Sequence, residues 1–149
     1  MIEVATLEKE TLMLKRKKVL PSRTRLFEMG CGEKSIIISY DNDNNPIEVF
    51  VDTPKERSCT NCVGAFTGKL LSGILRTNFD ERAKKLMFEF LIKNLSEMGC
   101  EGATWDDGIY VKSCFHAIAL CLQEPFVPDD DLLSFCNSMN NERVEEIDD

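Results

Sequence analysis

Seven cysteines carry much of the potential chemistry of this 149-residue sequence, at positions 31, 59, 62, 100, 114, 121 and 136. Their odd number, with an N-terminus that lacks the pattern of a secretory signal, argues against a disulfide framework. The C-x-x-C motif of Cys59 and Cys62 is a candidate zinc or thiol module. Zinc would need further ligands from Cys31, Cys100, Cys114 or His116, none of which has zinc-finger spacing. We therefore expect no bound metal.

The sequence offers no recognisable catalytic set. His116 is the only histidine, and Cys114 lies two residues before it, which places the two side chains on different faces of a helix. Asp106, Asp107 and residues 129–131 lack the alternating oxygen ligands and the glycine of a calcium-binding loop. Phosphate-binding loops, nucleophile elbows and zinc-protease motifs are absent from the sequence. We expect a protein that is not an enzyme and needs no cofactor.

A candidate anion site lies at the predicted start of a helix near position 58. Lys55 and Arg57 precede Ser58, a residue type that caps helix N-termini. Free N–H groups and the positive end of the helix dipole favour phosphate there, and Ser58, Thr60 and Asn61 would add polar groups. The alternative is ordinary helix capping with solvated cations, and the sequence leaves both open.

A weaker version of the same pattern occurs at the start of a later predicted helix. Lys112 and Ser113 stand at that start, and His116 follows, so we include these three residues among the candidate ligand-binding groups. Trp105, close to Tyr110, is an aromatic side chain that could stack on a base if it is exposed. The alternative is that both rings fold back onto the core.

The charge balance limits the partners of the protein. The formal net charge is −8, from 26 acidic and 18 basic residues, which argues against bulk binding to nucleic acid. Residues 15–18, Arg23 and Arg25 form a basic segment, which is either a solvated arm or a surface for a phosphate-bearing ligand or acidic partner. The longest apolar run is too short to span a bilayer, so we expect a soluble, cytoplasmic protein that does not bind membranes.

Hydrophobic periodicity predicts an α+β fold, with a small antiparallel β-meander and three or four helices packed on one face. Alternation and turn residues place strands at 24–29, 35–40 and 47–52. Apolar spacing predicts helices that begin near Ser58 and Asp80, a third over 111–123 and a short last one after Pro128. Residues 100–108 are predicted to form a loop.

The domain organisation follows from the same patterns. We expect an arm or short helix over residues 1–16, a single domain over 17–136, and an acidic, flexible tail over 137–149. Gly64, Gly68 and Gly73 lie inside the first predicted helix, where each glycine costs about 1 kcal/mol relative to alanine. They therefore predict that another backbone, a ligand or a second copy of the chain packs closely on that helix.

Four segments, in order along the chain, resemble one family. Residues 17–23 resemble its R-x-x-L-P lead-in, residues 45–51 (N-P-I-E-V-F-V) its G-x-P-x-E-V-F strand, and residues 65–76 its A-L-G-R-L-I-S-L-x-L-R helix. Residues 112–119 (K-S-C-F-H-A-I-A) resemble the T-S-C-P-D-A-I-A segment of the TSCPD domain. Phe115 and His116 replace the family's proline and aspartate, and residues 55–58 replace its glycine-rich approach to the helix.

The resemblance implies a functional context. TSCPD domains occur at the C-terminus of adenosylcobalamin-dependent ribonucleotide reductases and as small separate proteins. It suggests a non-catalytic, homo-oligomeric binding module for a nucleotide-like phosphate ligand, which regulates a reductase partner or sequesters a signalling nucleotide, as a viral counter-defence protein would. The alternatives are an acidic protein–protein adaptor or inhibitor, and a zinc or thiol module that uses the C-x-x-C motif.

Overall fold

The larger sheet of the protein is a three-stranded antiparallel meander. The computed structural model describes residues 12–54 and 58–141. Within them, β1 (Ser22–Met29), β2 (Gly32–Tyr40) and β3 (Pro46–Asp52) pair in chain order. This arrangement confirms the meander expected from the alternating pattern.

One face of this sheet forms the floor of the hydrophobic core. Phe27, Ile36 and Val49 point to this face and are at most 1% exposed. Leu26 and Phe50 point to the opposite face and are exposed. The side chains alternate because successive residues of a strand face opposite sides of the sheet.

The helical part of the described chain comprises α1 (Cys59–Leu75), α2 (Glu81–Glu97), α3 (Cys114–Gln123) and α4 (Asp130–Asn141). The expected α+β class is therefore confirmed. Helix α3 packs on β1 and β2, and α2 packs on α3. Phe126, just after α3, stacks on the buried ring of Tyr40, with ring centroids 3.8 Å apart.

Two parts of the predicted secondary structure are wrong. The expected loop over 100–108 contains β4 (Thr104–Asp106), which pairs with β5 (Ile109–Val111), so Val111 ends a strand and does not begin a helix. The turn residues Asp107 and Gly108 both have positive φ, 45° and 80°, as tight hairpins with this Asp-Gly signal do. The last helix continues to Asn141, beyond the expected start of a flexible tail at 137.

Arginines of the basic N-terminal segment are engaged inside the fold. Arg16 pairs with the buried carboxylate of Glu48. Arg23 donates to the carbonyl oxygens of Cys121, Glu124 and Pro125 at the end of α3, where cations are favoured by the helix dipole. These arginines are neither a solvated arm nor a free phosphate-binding surface.

Small residues on one face of α1 let the helix lie directly along β3, the edge strand. Ser72 Oγ accepts a hydrogen bond from Val49 N–H at 2.9 Å and donates to Val49 C=O at 3.2 Å. A Cβ at Gly68 would lie 2.7 Å from the Val49 oxygen, and one at Gly64 would lie 3.1 Å from Val51 Cγ1. The expected close backbone approach is therefore made by β3 of the same chain. Gly73 has open space around its Cβ position.

The two glycines Gly68 and Gly73 should respond to alanine with opposite signs. Gly68→Ala should lower the free energy of unfolding by about 1–3 kcal/mol, because the added carbon must push α1 away from the β3 backbone. Gly73→Ala should raise it by about 0.5–1 kcal/mol, because helix propensity improves without a clash. Urea unfolding of both variants measures the difference, and equal effects would contradict the close contact described above.

Candidate functional site

A cavity of about 550 Å³ lies where the first residues of α1 and α3 approach the β1–β2 turn and the turn after α2. This volume is within the range typical of small-molecule sites. The side chains around the cavity are thiols, hydroxyls, one lysine, one glutamate and apolar groups. Its polar and charged lining residues are Cys31, Lys34, Cys59, Thr60, Cys100, Glu101, Ser113 and Cys114.

Two helix N-termini meet at this cavity. Cys59 and Thr60, the first residues of α1, and Cys114, the first residue of α3, all line it. Each helix has a serine cap: Ser58 Oγ accepts from Asn61 N–H, and Ser113 Oγ accepts from His116 N–H, both at 3.1 Å. The N–H groups nearest each cap have no partner inside the helix, so both helices present positive partial charge to this region.

Lys34 places a positive charge in the cavity wall. It lies on β2 in the same alternation phase as Ile36, so its side chain points to the core side of the sheet, and the residue is 2% exposed. Within residues 12–54 and 58–141, no hydrogen bond or ion pair engages its ammonium group. Its Nζ is not among the fully buried polar atoms that lack a partner, so the ammonium reaches the cavity surface, where an anion can approach it.

Two thiols are in contact at the edge of the cavity. Cys31 Sγ, in the β1–β2 turn, lies 3.8 Å from Cys114 Sγ. Burial, followed by the neighbouring Cys31 thiol, raises the pKa of Cys114 to about 11, although the charge of Lys34 acts in the opposite direction. Among the described residues, no group of three or more histidine, cysteine or acidic side chains is placed to hold a metal ion.

The residues predicted from sequence at the first helix are only partly brought to the cavity. Thr60 lines it, and Ser58 caps the helix beside it. Asn61 turns away, since its Nδ2 donates to Thr53 Oγ1 at 3.0 Å. Lys55 and Arg57 lie outside the described residues.

Of the candidate residues predicted near the start of α3, some line the cavity and others do not. Ser113 lines the cavity, but its hydroxyl is already engaged, because it donates to Met98 C=O at 2.7 Å and accepts from His116 N–H. Lys112 is not among the lining residues, and its Nζ donates to Ser96 C=O at 3.3 Å. Trp105 is 70% exposed on the β4–β5 hairpin, where it packs against Tyr110 and does not line the cavity.

His116 has a structural contact of its own. Its Nδ1 accepts a hydrogen bond from Lys112 N–H at 3.0 Å, which ties the start of α3 to the end of β5. Partial burial, with the nearby charge of Lys112, lowers the pKa of His116. The neutral ring is the form that can accept at Nδ1.

Sequence reasoning missed Lys34, Cys31 and Cys114 as a group. The signal for Lys34 was available, because a lysine stands in the inward phase of a strand whose other inward residues are Ile36, Ile38 and Tyr40. The contact of Cys31 with Cys114 joins positions 83 residues apart, and no local spacing carries that information.

The fold and this cavity together define a small α+β domain with an open cavity at the starts of two helices. The model of the TSCPD domain matches residues 8–126 of the 149-residue chain, and the protein therefore belongs to the TSCPD family. No curated protein and no solved structure shows a significant match to it. Within the part of the chain that the structure describes, no helix is long and apolar enough to cross a membrane.

The lowered pKa of His116 predicts a specific pH dependence of stability. The unfolded chain, with a histidine pKa near 6.5, binds a proton more readily than the folded chain. The contribution of His116 is therefore fully present above pH of about 6.5 and is lost as the pH falls through the lower folded pKa.

His116→Asn separates this contribution from that of the carboxylates, because Asn Oδ1 can replace Nδ1 as acceptor but does not titrate. Urea unfolding between pH 5 and 8 should show a smaller loss of stability on acidification for the variant than for the original chain. Parallel pH profiles would contradict the assignment.

Proposed function

We propose that the cavity binds the phosphate group of a nucleotide-like small molecule, and that the protein is a binding module that does not convert its ligand. The observation that carries this proposal is Lys34, a residue only 2% exposed whose ammonium lines the cavity and has no hydrogen bond or ion pair within the described chain. A bound phosphate would supply the charge that the fold itself does not provide there.

The surroundings of Lys34 support an anionic ligand. The starts of α1 and α3 direct unpaired N–H groups and positive dipole ends toward the same region, as in other phosphate sites. Thr60 adds a hydroxyl group at the cavity. These three sources of positive potential favour a phosphate over a neutral ligand, although the lining also contains one carboxylate, Glu101.

The rest of the cavity suits the less polar part of a nucleotide. Val51, Val63, Met98, Phe115 and Ile118 form apolar lining. An aromatic ring of a ligand can pack on such a surface, and Phe115 is the aromatic residue that lines it. This role replaces the one that the sequence suggested for Trp105.

The family provides the context of the ligand. Since TSCPD domains accompany ribonucleotide reductases, whose chemistry concerns nucleotides, we propose two roles for the bound state. The protein regulates a reductase by holding a nucleotide near it, or it lowers the free concentration of a signalling nucleotide. Both roles need the same cavity and differ only in the ligand and partner.

Lys34→Met should separate binding from folding. Since the ammonium makes no hydrogen bond or ion pair within the described chain, replacing it with an apolar group at this mostly buried position should not lower the melting temperature of the free protein. The same change should weaken binding of pyrophosphate or a nucleoside triphosphate by about 10- to 100-fold, the size expected for lost hydrogen bonds to a charged group. Isothermal titration calorimetry and thermal unfolding measure the two effects.

Lys69→Met is the matched control, because it removes one positive charge from an exposed position of α1 outside the cavity. It should leave both measurements nearly unchanged. Equal anion affinity for all three proteins would overturn the proposal. Tight binding of pyrophosphate without further gain from nucleosides would retain the anion site but exclude the nucleotide.

We also propose that the protein forms a homo-oligomer through the outer face of α1. Phe66 is 61% exposed and Leu70 is 52% exposed, one turn apart on this helix. Since each chain carries a net charge of −8, two copies repel each other except where their surfaces are uncharged. An apolar helix face is therefore the favourable place for a second copy of this chain.

Phe66→Asp should convert such an oligomer to a monomer, because it places a charge in the apolar contact. Phe90→Asp is the control, since Phe90 is equally exposed but lies on α2. Light scattering coupled to size-exclusion chromatography measures the mass of each protein. A monomeric original chain at high concentration, or dissociation by the control alone, would contradict the proposed contact.

A further inference from the structure

We propose that Cys31 and Cys114 form a dithiol site that exchanges with disulfides and closes reversibly into an intramolecular disulfide. The two sulfur atoms lie 3.8 Å apart, and both residues line the open cavity. This inference goes beyond ligand binding, since it does not require a bound phosphate.

Close backbone packing holds the two cysteines together. Gly30 N–H donates to Gly102 C=O at 2.9 Å, so the β1–β2 turn rests on the turn after α2. A Cβ at Gly102 would lie 3.0 Å from Cys31 Sγ, which shows how closely the thiol is seated. Cys114 is fixed as the first residue of α3 by the Ser113 cap.

The Sγ–Sγ distance of 3.8 Å is that of two reduced thiols, and a small movement would allow them to form a disulfide. A disulfide has an S–S length of about 2.05 Å, so the sulfur atoms must approach by somewhat less than 2 Å. Cys31 occupies an exposed two-residue turn, where side-chain rotation and a slight turn movement provide this approach. Among the described cysteines, no other pair of sulfur atoms is in contact.

The exchange balances with a low-molecular-weight disulfide as oxidant. The Cys31 thiol loses its proton, and its sulfur attacks one sulfur of the disulfide, which forms a mixed disulfide and releases the first thiolate. Cys114 then loses its proton and attacks Cys31 Sγ, which closes the intramolecular bond and releases the second thiolate. The two cysteines are oxidised by two electrons in total, and the small disulfide is reduced to two thiols.

The environments of the two thiols indicate which one reacts first with the external disulfide. Cys31 is exposed and can meet an external disulfide, whereas Cys114 is half-buried and is kept protonated by a raised pKa. Part of that rise comes from the adjacent Cys31 thiol. Burial, the larger cause, still raises the pKa of Cys114 once Cys31 is in a mixed disulfide, but the contribution of the Cys31 thiol is then removed and Lys34 favours the thiolate. Cys114 therefore loses its proton more easily in the second step than in the free dithiol.

Oxidised glutathione provides the test with the full chain. The reduced protein is incubated with it, quenched with an alkylating reagent and analysed by intact-mass and peptide-mass spectrometry. We expect the oxidised protein, alkylated after denaturation, to carry two fewer alkyl groups than the reduced protein. Peptide analysis should show a linked pair that carries Cys31 and Cys114, with full recovery of both thiols after dithiothreitol. Glutathione buffers of graded ratio then give the potential of the pair.

Three variants distinguish a dithiol site from general thiol reactivity. Cys114→Ser should stop at a persistent mixed disulfide on Cys31, and Cys31→Ser should leave Cys114 largely unmodified. Cys62→Ser, which changes an exposed cysteine outside the cavity, should react like the original chain. Linkage of a different pair, or independent mixed disulfides on Cys31 and Cys114 in the original chain, would overturn the proposal even if a variant failed to fold.

Discussion

The direct contact between α1 and the edge of β3 is the constraint on which the rest of the structure depends. Gly68 lies so close to the Val49 carbonyl that no side chain fits between them. The Ser72 hydroxyl forms hydrogen bonds with the N–H and C=O groups of Val49. This contact covers an edge strand that would otherwise be open to pairing with another chain. It also holds α1 along β3, and the first residues of the helix lie at the cavity.

Two groups at the cavity contribute less to the stability of the fold than apolar side chains would. A charged lysine is kept in the wall without a partner from the described chain, and a thiol beside it is held protonated by burial. Neither group contributes to packing as well as an aliphatic side chain would. Groups that lie in a cavity without stabilising the fold are candidates for a functional role.

The same turn contacts serve both features of the site. Gly30 and Gly102 bring the β1–β2 turn against the segment after α2, and this places Cys31 beside Cys114 at the cavity that Lys34 also lines. The basic segment near the N-terminus, by contrast, is used to secure the fold: Arg16 satisfies Glu48, and Arg23 holds the end of α3. Positive charge at the site therefore comes from a strand and two helix ends.

The amino-acid sequence by itself determined the three strands of the meander, the helix starts at Ser58 and Asp80, and the family, because alternation, capping residues and ordered motifs are local properties. It also carried the glycines that require a close neighbour on α1. Only the tertiary structure decided that this neighbour is β3, that the hairpin holds Trp105 outside the cavity, and that Lys34, Cys31 and Cys114 line the cavity together. Those outcomes depend on contacts between residues far apart in the chain, whose geometry no local pattern records.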